Sequence, residues 1–187
     1  MKSPPQRVQY AALPYRWAAG GEAEILLITS RRSRRWIIPK GWPMPDRPPH
    51  RAAALEALEE AGVTGEIGAE PLGSYCYRKR LKDGSKIVCE VEVFPLRVTG
   101  QLARWPEEGQ RMVKWFSPAR AGKLVQQPML KAAFLSIPVW AAERPVRSAR
   151  RQIWVDELRL LFERMVAKSG SPIADDVPSP QFAVWVT

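Results

Sequence analysis

Glu56, Glu59 and Glu60 fall within one segment, Ala52-Ala-Ala-Leu-Glu-Ala-Leu-Glu-Glu-Ala-Gly62. Residues at i, i+3 and i+4 share one face of an α-helix. Carboxylates gathered there repel one another and weaken a bare helix. The opposite face is alanine and leucine, which must pack on something apolar. The segment therefore demands a helix from about His50 to Ala61, laid on a core and presenting acids outward, with Gly62 placed to end it. Hard divalent cations favour such oxygen ligands. An isolated E-x-x-E-E is more often a solvated helix face, so the surroundings must decide.

The chain on either side alternates short apolar runs with turn residues. Val8 to Tyr15 holds a short strand before Pro14, and Glu24 to Thr29 is an apolar run of strand length. Arg31-Arg-Ser-Arg-Arg35 is a basic loop, and Trp36 to Ile38 returns as a strand stopped by Pro39. The loop from Gly41 to Pro49 is stiffened by Pro43, Pro45, Pro48 and Pro49. Asp83-Gly84 lies between alternating runs, a strong hairpin signal. A two-residue turn there sets Arg78 opposite Cys89 and Tyr77 opposite Glu90. It places Glu90, Glu92 and Phe94 on one face of the second strand and Val91 and Val93 on the other. Arg111 to Phe116 reads as a strand, and Pro118 to Lys123 and Pro128 to Ser136 as helices. Residues 137–145 look like a connector. Arg151 to Lys168 carries Trp154, Leu158, Leu161, Phe162, Met165 and Val166 at amphipathic helix spacing, followed by an irregular tail.

At 187 residues the chain accommodates one well-buried domain with an appendage. A net charge of +10 and a pI near 10.1 favour polyanionic partners. Met1-Lys-Ser-Pro-Pro-Gln-Arg lacks the apolar core of an export signal, and no apolar run reaches the roughly 18 residues that span a bilayer. With Cys76 and Cys89 the only cysteines, the expectation is a reducing cytoplasm, no membrane, and both thiols buried as small hydrophobes.

The surroundings of the acidic segment resemble the Nudix hydrolases, whose signature is G-x5-E-x7-R-E-U-x-E-E-x-G-U with U aliphatic. Gly41, Glu56, Glu59, Glu60, Gly62 and Val63 fall in register with it. The first signature Glu is here Arg47 and the signature Arg is Leu55. In the family those two residues pair and brace the loop against the helix, so both halves of one ion pair are missing together. Trp36-Ile-Ile-Pro-Lys-Gly-Trp42 and Val113-Lys-Trp-Phe-Ser-Pro118 resemble the branch of the diphosphoinositol polyphosphate phosphohydrolases. The resemblance covers residues 6–136, with a connector, amphipathic helix and tail over 137–187.

The resemblance implies an α/β fold, a mixed β-sheet sandwiched between α-helices, with a C-terminal helical extension. It implies a Mg²⁺- or Mn²⁺-dependent pyrophosphohydrolase acting on a nucleoside diphosphate derivative, a dinucleoside polyphosphate or a diphosphoinositol polyphosphate. Glu59 would be the catalytic base. Glu56 and Glu60 would hold the metal with a backbone carbonyl at Lys40 or Gly41. A further acid from outside the motif would be Glu90 or Glu92, which could equally pair with neighbouring cations on the sheet. The basic clusters that flank the motif offer Arg34, Arg35, Lys40, Arg78 and Arg80 for substrate phosphates, Arg by a planar fork and Lys as a point charge. His50, the single histidine, suits packing at the helix start or exposure to solvent better than a metal, since no second His or Cys completes a site with it. Trp36 and Trp42 are the tryptophans placed to stack on a ligand. A second reading keeps the fold but not the turnover, as a polyanion-binding protein. Nucleic acid ranks last as a partner, for want of a reading motif. The C-terminal apolar stripe either docks on its own domain or forms a homodimer interface, which family habit favours.

Overall fold

The protein, in a computed structural model, is described over residues 7–81 and 83–143. Its elements run β1 (Arg7–Trp17), β2 (Ala23–Thr29), β3 (Trp36–Ile37), β4 (Lys40–Gly41), α1 (Pro49–Ala61), β5 (Val63–Ile67), β6 (Gly73–Arg80), β7 (Lys86–Gln101) and β8 (Val113–Phe116). These are followed by α2 (Pro118–Leu124), α3 (Pro128–Leu135) and α4 (Ile137–Glu143).

The strands join in one mixed sheet. Its centre is a parallel pairing of β1 with β7, from Arg7 opposite Cys89 to Tyr15 opposite Arg97. All other pairings are antiparallel: β2 and β4 on β1, β3 and β8 on β2, β5 and β6 on β7. Alternation in these strands sorts the core into two layers. Ala12, Leu26, Ile28, Phe94 and Leu96 face α1, which meets them with Ala53, Ala57 and Ala61. Small side chains let the helix lie close to the sheet. Ala11, Leu13, Ile25, Leu27, Val91 and Val93 face the other way, onto Ala121, Leu130, Phe134 and Ile137 of α2 to α4. The expected sandwich of a mixed sheet between helices is what forms.

Several details depart from the sequence reading, each for a local reason. β1 continues through Pro14 to Trp17. The Ala12 N–H points away from β7, to the Pro39 carbonyl at 3.1 Å. Pro14, two residues on, aims its missing donor the same way, between β4 pairing at Tyr10–Ala11 and β2 pairing from Tyr15. The β6–β7 hairpin is one residue out of the expected register, with Tyr77 opposite Cys89 and Arg78 opposite Val88. The Leu81 N–H donates to the Ser85 carbonyl at 2.8 Å, and Gly84 sits at φ 86. The turn is thus the longer kind that ends in a left-handed residue. Cys89 is buried as expected, whereas Cys76 is exposed because it falls on the outer side of β6. The stretch read as a connector is helical from Ile137 to Glu143, and Ile137 joins the core. The amphipathic stripe from Trp154 to Val166 lies outside the described residues. Among the described residues, no helix is long and apolar enough to cross a membrane.

Candidate functional site

Helix α1 starts at Pro49, where proline costs no hydrogen bond because a first-turn N–H has no intrahelical partner. It ends at Gly62, in the left-handed conformation at φ 69, with its N–H donating to the Leu58 carbonyl at 3.0 Å. Leu55, at the position of the family's arginine, is 2% exposed, so an arginine there would have to bury its charge.

The α1 acids come to β4. Glu60 is buried, and one carboxylate oxygen accepts the Lys40 backbone N–H at 3.0 Å. Glu56 lies against the next residue: a Cβ added to Gly41 would sit 1.8 Å from its Oε1. Gly41 is thus glycine because a carboxylate fills the space a side chain would need. Successive residues of β4 meet successive turns of α1. Glu59, between them in sequence, is half-buried. Its carbonyl accepts the Glu107 N–H at 3.1 Å.

The other oxygen of Glu60 accepts from Nη2 of Arg111, whose side chain is 5% exposed. Arg111 also donates through Nε to Glu107 at 2.7 Å and through Nη1 to the Thr29 carbonyl at 3.1 Å. Burial pushes the Glu60 carboxyl above the usual range, against the pull of Arg111 and the Lys40 N–H. Stripping one partner from such a buried pair leaves an uncompensated charge and costs about 3–5 kcal/mol. No sequence motif flags Arg111; the strand expected from Arg111 starts only at Val113, which leaves Arg111 in the bend before β8.

Lys40 and Lys79 supply cations beside these acids. Burial pushes Lys40 down to about 8, with Glu60 opposing the shift. Its Nζ lies 5.5 Å from the centre of the Tyr77 ring, and the Tyr77 hydroxyl donates to Gln9 at 2.6 Å. Lys79 stands 4.3 Å over the Trp42 ring, and burial lowers its pKa while Glu56 and Glu60 act to raise it. Strand alternation puts Tyr75, Tyr77 and Lys79 on the inner side of β6 and Arg78 and Arg80 on the exposed side. Alternation sets Lys79 apart from Arg78 and Arg80 only once the inner face of β6 is known.

The remaining expected residues are placed as follows. Arg34 sits in the β2–β3 turn at φ 53 and donates to the Gln110 carbonyl at 3.3 Å. Arg35 is exposed in the same turn. Glu90 accepts the Ser74 hydroxyl at 3.0 Å, and Glu92 is half-buried on β7. His50 lies beside Phe94 at the helix start, ring centres 6.3 Å apart. Trp36 is a core residue, edge-on to Phe116 at 5.0 Å. Trp42 is 37% exposed, the more exposed of the two.

The donor set suits a hard cation. Two carboxylates and the β4 backbone offer oxygens only, and Mg²⁺ is typically held by one or two carboxylates, with waters and substrate phosphate completing its shell. Among the described residues, no group of three or more His, Cys, Asp or Glu side chains converges as a self-sufficient metal centre.

The profile of the NUDIX domain family matches residues 9–135. The chain is 36% identical over 124 residues to Nudix hydrolase 21, chloroplastic, of Arabidopsis thaliana, covering 65% of this chain and 61% of that protein. It is 36% identical over 108 residues to the diphosphoinositol polyphosphate phosphohydrolase 3-alpha of Mus musculus, covering 56% of this chain and 62% of that one. It therefore spans less than two thirds of either relative. The fold is similar to that of a C. elegans Ap4A hydrolase in a binary complex, with a TM-score of 0.53, 20% identity, and coverage of 73% of this chain and 98% of that one.

Proposed function

The chain belongs to the NUDIX domain family, and from that membership we propose that it is a metal-dependent hydrolase that cleaves a phosphoanhydride bond in a small phosphorylated polyanion. The observation that carries this reading is the meeting of Glu56 and Glu60 with consecutive residues of β4. Glu56, Glu60 and the Lys40 or Gly41 carbonyl would hold Mg²⁺ or Mn²⁺. When bound, such an ion neutralises phosphate charge and acidifies a water.

The chain's own residues do the rest. Glu59, on the same helical face, takes the proton from the attacking water. The water oxygen bonds to phosphorus as the bridging P–O bond breaks, and two phosphorylated products leave. Lys40 is the cation best placed to hold substrate phosphate, and Lys79 joins it over Trp42. Arg34 and Arg35, in the β2–β3 turn, and Arg78 and Arg80, on the exposed side of β6, offer further cations for substrate phosphate. Similarity to the mouse diphosphoinositol polyphosphate phosphohydrolase supports a diphosphoinositol polyphosphate as substrate, and the nematode Ap4A hydrolase, alike in fold, makes a dinucleoside polyphosphate the second substrate class. The cytoplasm remains the proposed compartment on the strength of two free thiols, although the Arabidopsis relative carries a chloroplast name.

One observation favours the second reading, a polyanion binder without turnover: Glu60 already has a cationic partner in Arg111. Both readings meet one experiment. Purified protein is offered dinucleoside polyphosphates, nucleotide sugars and inositol pyrophosphates with Mg²⁺ or Mn²⁺, alongside Glu59→Gln and Glu60→Gln. Turnover by the wild type, lost by a factor of about 10² or more in both variants, supports the hydrolase. Tight binding without turnover by the wild type supports the binder. Near-normal rates in both variants would remove this cluster from the chemistry.

A further inference from the structure

Arg111 stands outside every segment that signals the site in sequence, yet three of its nitrogens reach three separate parts of the fold. Nη2 donates to Glu60 on α1, Nε to Glu107, and Nη1 to the carbonyl of Thr29 at the end of β2. Each anchor is itself fixed. The Glu107 N–H donates to the Glu59 carbonyl at 3.1 Å, and the Glu107 carboxylate also receives Arg31 at 3.3 Å. Thr29 exchanges its N–H and hydroxyl oxygen with Met112, both at 3.0 Å. Arg111 is thus clamped from behind before it reaches Glu60. The second Glu60 oxygen is held by the Lys40 N–H. Rotating this carboxylate would forfeit buried hydrogen bonds at both ends.

We propose that Arg111 is a positioning residue for metal binding, fixing the Glu60 carboxylate in the orientation from which it takes a divalent cation. The inference rests on the hydrolase reading above, but it concerns orientation and not the identity of the reaction. The planar fork is what the task requires. A lysine carries the same charge, but its single nitrogen cannot reach acceptors on three elements along fixed directions.

Direct Mn²⁺ titration of the full chain, followed by electron paramagnetic resonance of the free ion, tests this without any substrate. Arg111→Gln and Arg111→Lys should both bind Mn²⁺ about 10–100-fold more weakly than wild type, the usual effect of losing a partner that orients a metal ligand. Leu130→Ala, which opens the core on the far side of the sheet, should destabilise the fold and leave Mn²⁺ affinity unchanged. Should Arg111→Gln not fold, Glu107→Gln decides. It removes the clamp while leaving Arg111 with Glu60, and should weaken Mn²⁺ binding by about tenfold. Wild-type affinity in Arg111→Gln or Glu107→Gln overturns the proposal. So does wild-type affinity in Arg111→Lys alone, which would make charge sufficient. Equal weakening in Leu130→Ala would reduce the effect to general instability and overturn it too. A wild-type chain that binds no Mn²⁺ overturns the functional reading and this inference with it. Normal wild-type binding with normal variants overturns only the inference.

Discussion

At Gly41 the space for a side chain is taken by the far end of Glu56, a flexible group that can swing aside. Gly41→Ala should therefore change stability by less than about 1 kcal/mol while moving the carboxylate off β4. Thermal unfolding and Mn²⁺ titration together read the expected split, a normal melting point with weakened metal binding. A variant normal in both would show that Glu56 has no fixed seat. Lys40, on the preceding residue, offers a test by pH. Its folded value of about 8 lies below the ordinary 10.5. Below pH 8 the lysine is protonated in both folded and unfolded states, and the folded state bears the cost of a buried charge. Between about 8 and 10.5 the unfolded chain binds more protons, so stability gains with rising pH. Relative to Lys40→Met, the metal-free wild type should therefore become more stable as pH rises through that window. Chemical denaturation at pH 7 and pH 10 measures the difference, and a constant gap would mean that Lys40 titrates normally.

Strand β6 sorts its cations by period two, and the sorting has a functional consequence. Lys79 is on the side of Trp42 and the α1 acids, while Arg78 and Arg80 leave from the exposed side. A charge-assisted hydrogen bond contributes about 1.5–3 kcal/mol, so its loss should raise KM about tenfold or more. Lys79→Ala should show that rise with kcat little changed, and Arg78→Ala should show much less, since an exposed charge is screened by solvent. Steady-state kinetics on the substrate found by screening decides. Equal effects would make the exposed side of β6 part of the binding surface. The loop from Leu102 to Met112 acts as a second unit. Its Leu102 N–H donates to the Gly62 carbonyl at 2.8 Å, Trp105 packs over Gly62, and Arg111 ends it at Glu60. The loop thus ties the C-terminal end of α1 to the end of β2.

For the whole molecule, the described core is closed on both sheet faces by α1 and by α2 to α4. A chain ending at Glu143 should accordingly retain its metal site. The sequence pattern from Trp154 to Val166 puts an apolar stripe in the removed segment, which lies outside the described residues, and such a stripe left in water invites association. The truncation should therefore lower the melting temperature or the mass in solution while Mn²⁺ binding persists. Sedimentation with a thermal melt checks this. An unchanged mass and melting point would make residues 144–187 a dispensable appendage.

The sequence by itself determined the elements whose period and punctuation agree. The acidic helix, its stop at Gly62, the shared face of Val91 and Val93 and the helices after Pro118 and Pro128 are all local patterns that the structure forms. It also named Glu56 and Glu60 as acids on one face, because a helix fixes that geometry without outside help. Tertiary structure decided what depends on partners distant in the chain. β5 was not read because its short run is broken by Gly65, and only pairing with β7 makes it a strand. The hairpin register turned on one residue of loop length. Lys79 was indistinguishable from Arg78 and Arg80 until the sheet gave β6 an inside. Arg111 meets Glu60 across 51 residues of sequence. A buried ion pair whose second member lies in an unpatterned loop leaves no periodic trace, since its energy comes from the burial that the assembled fold creates.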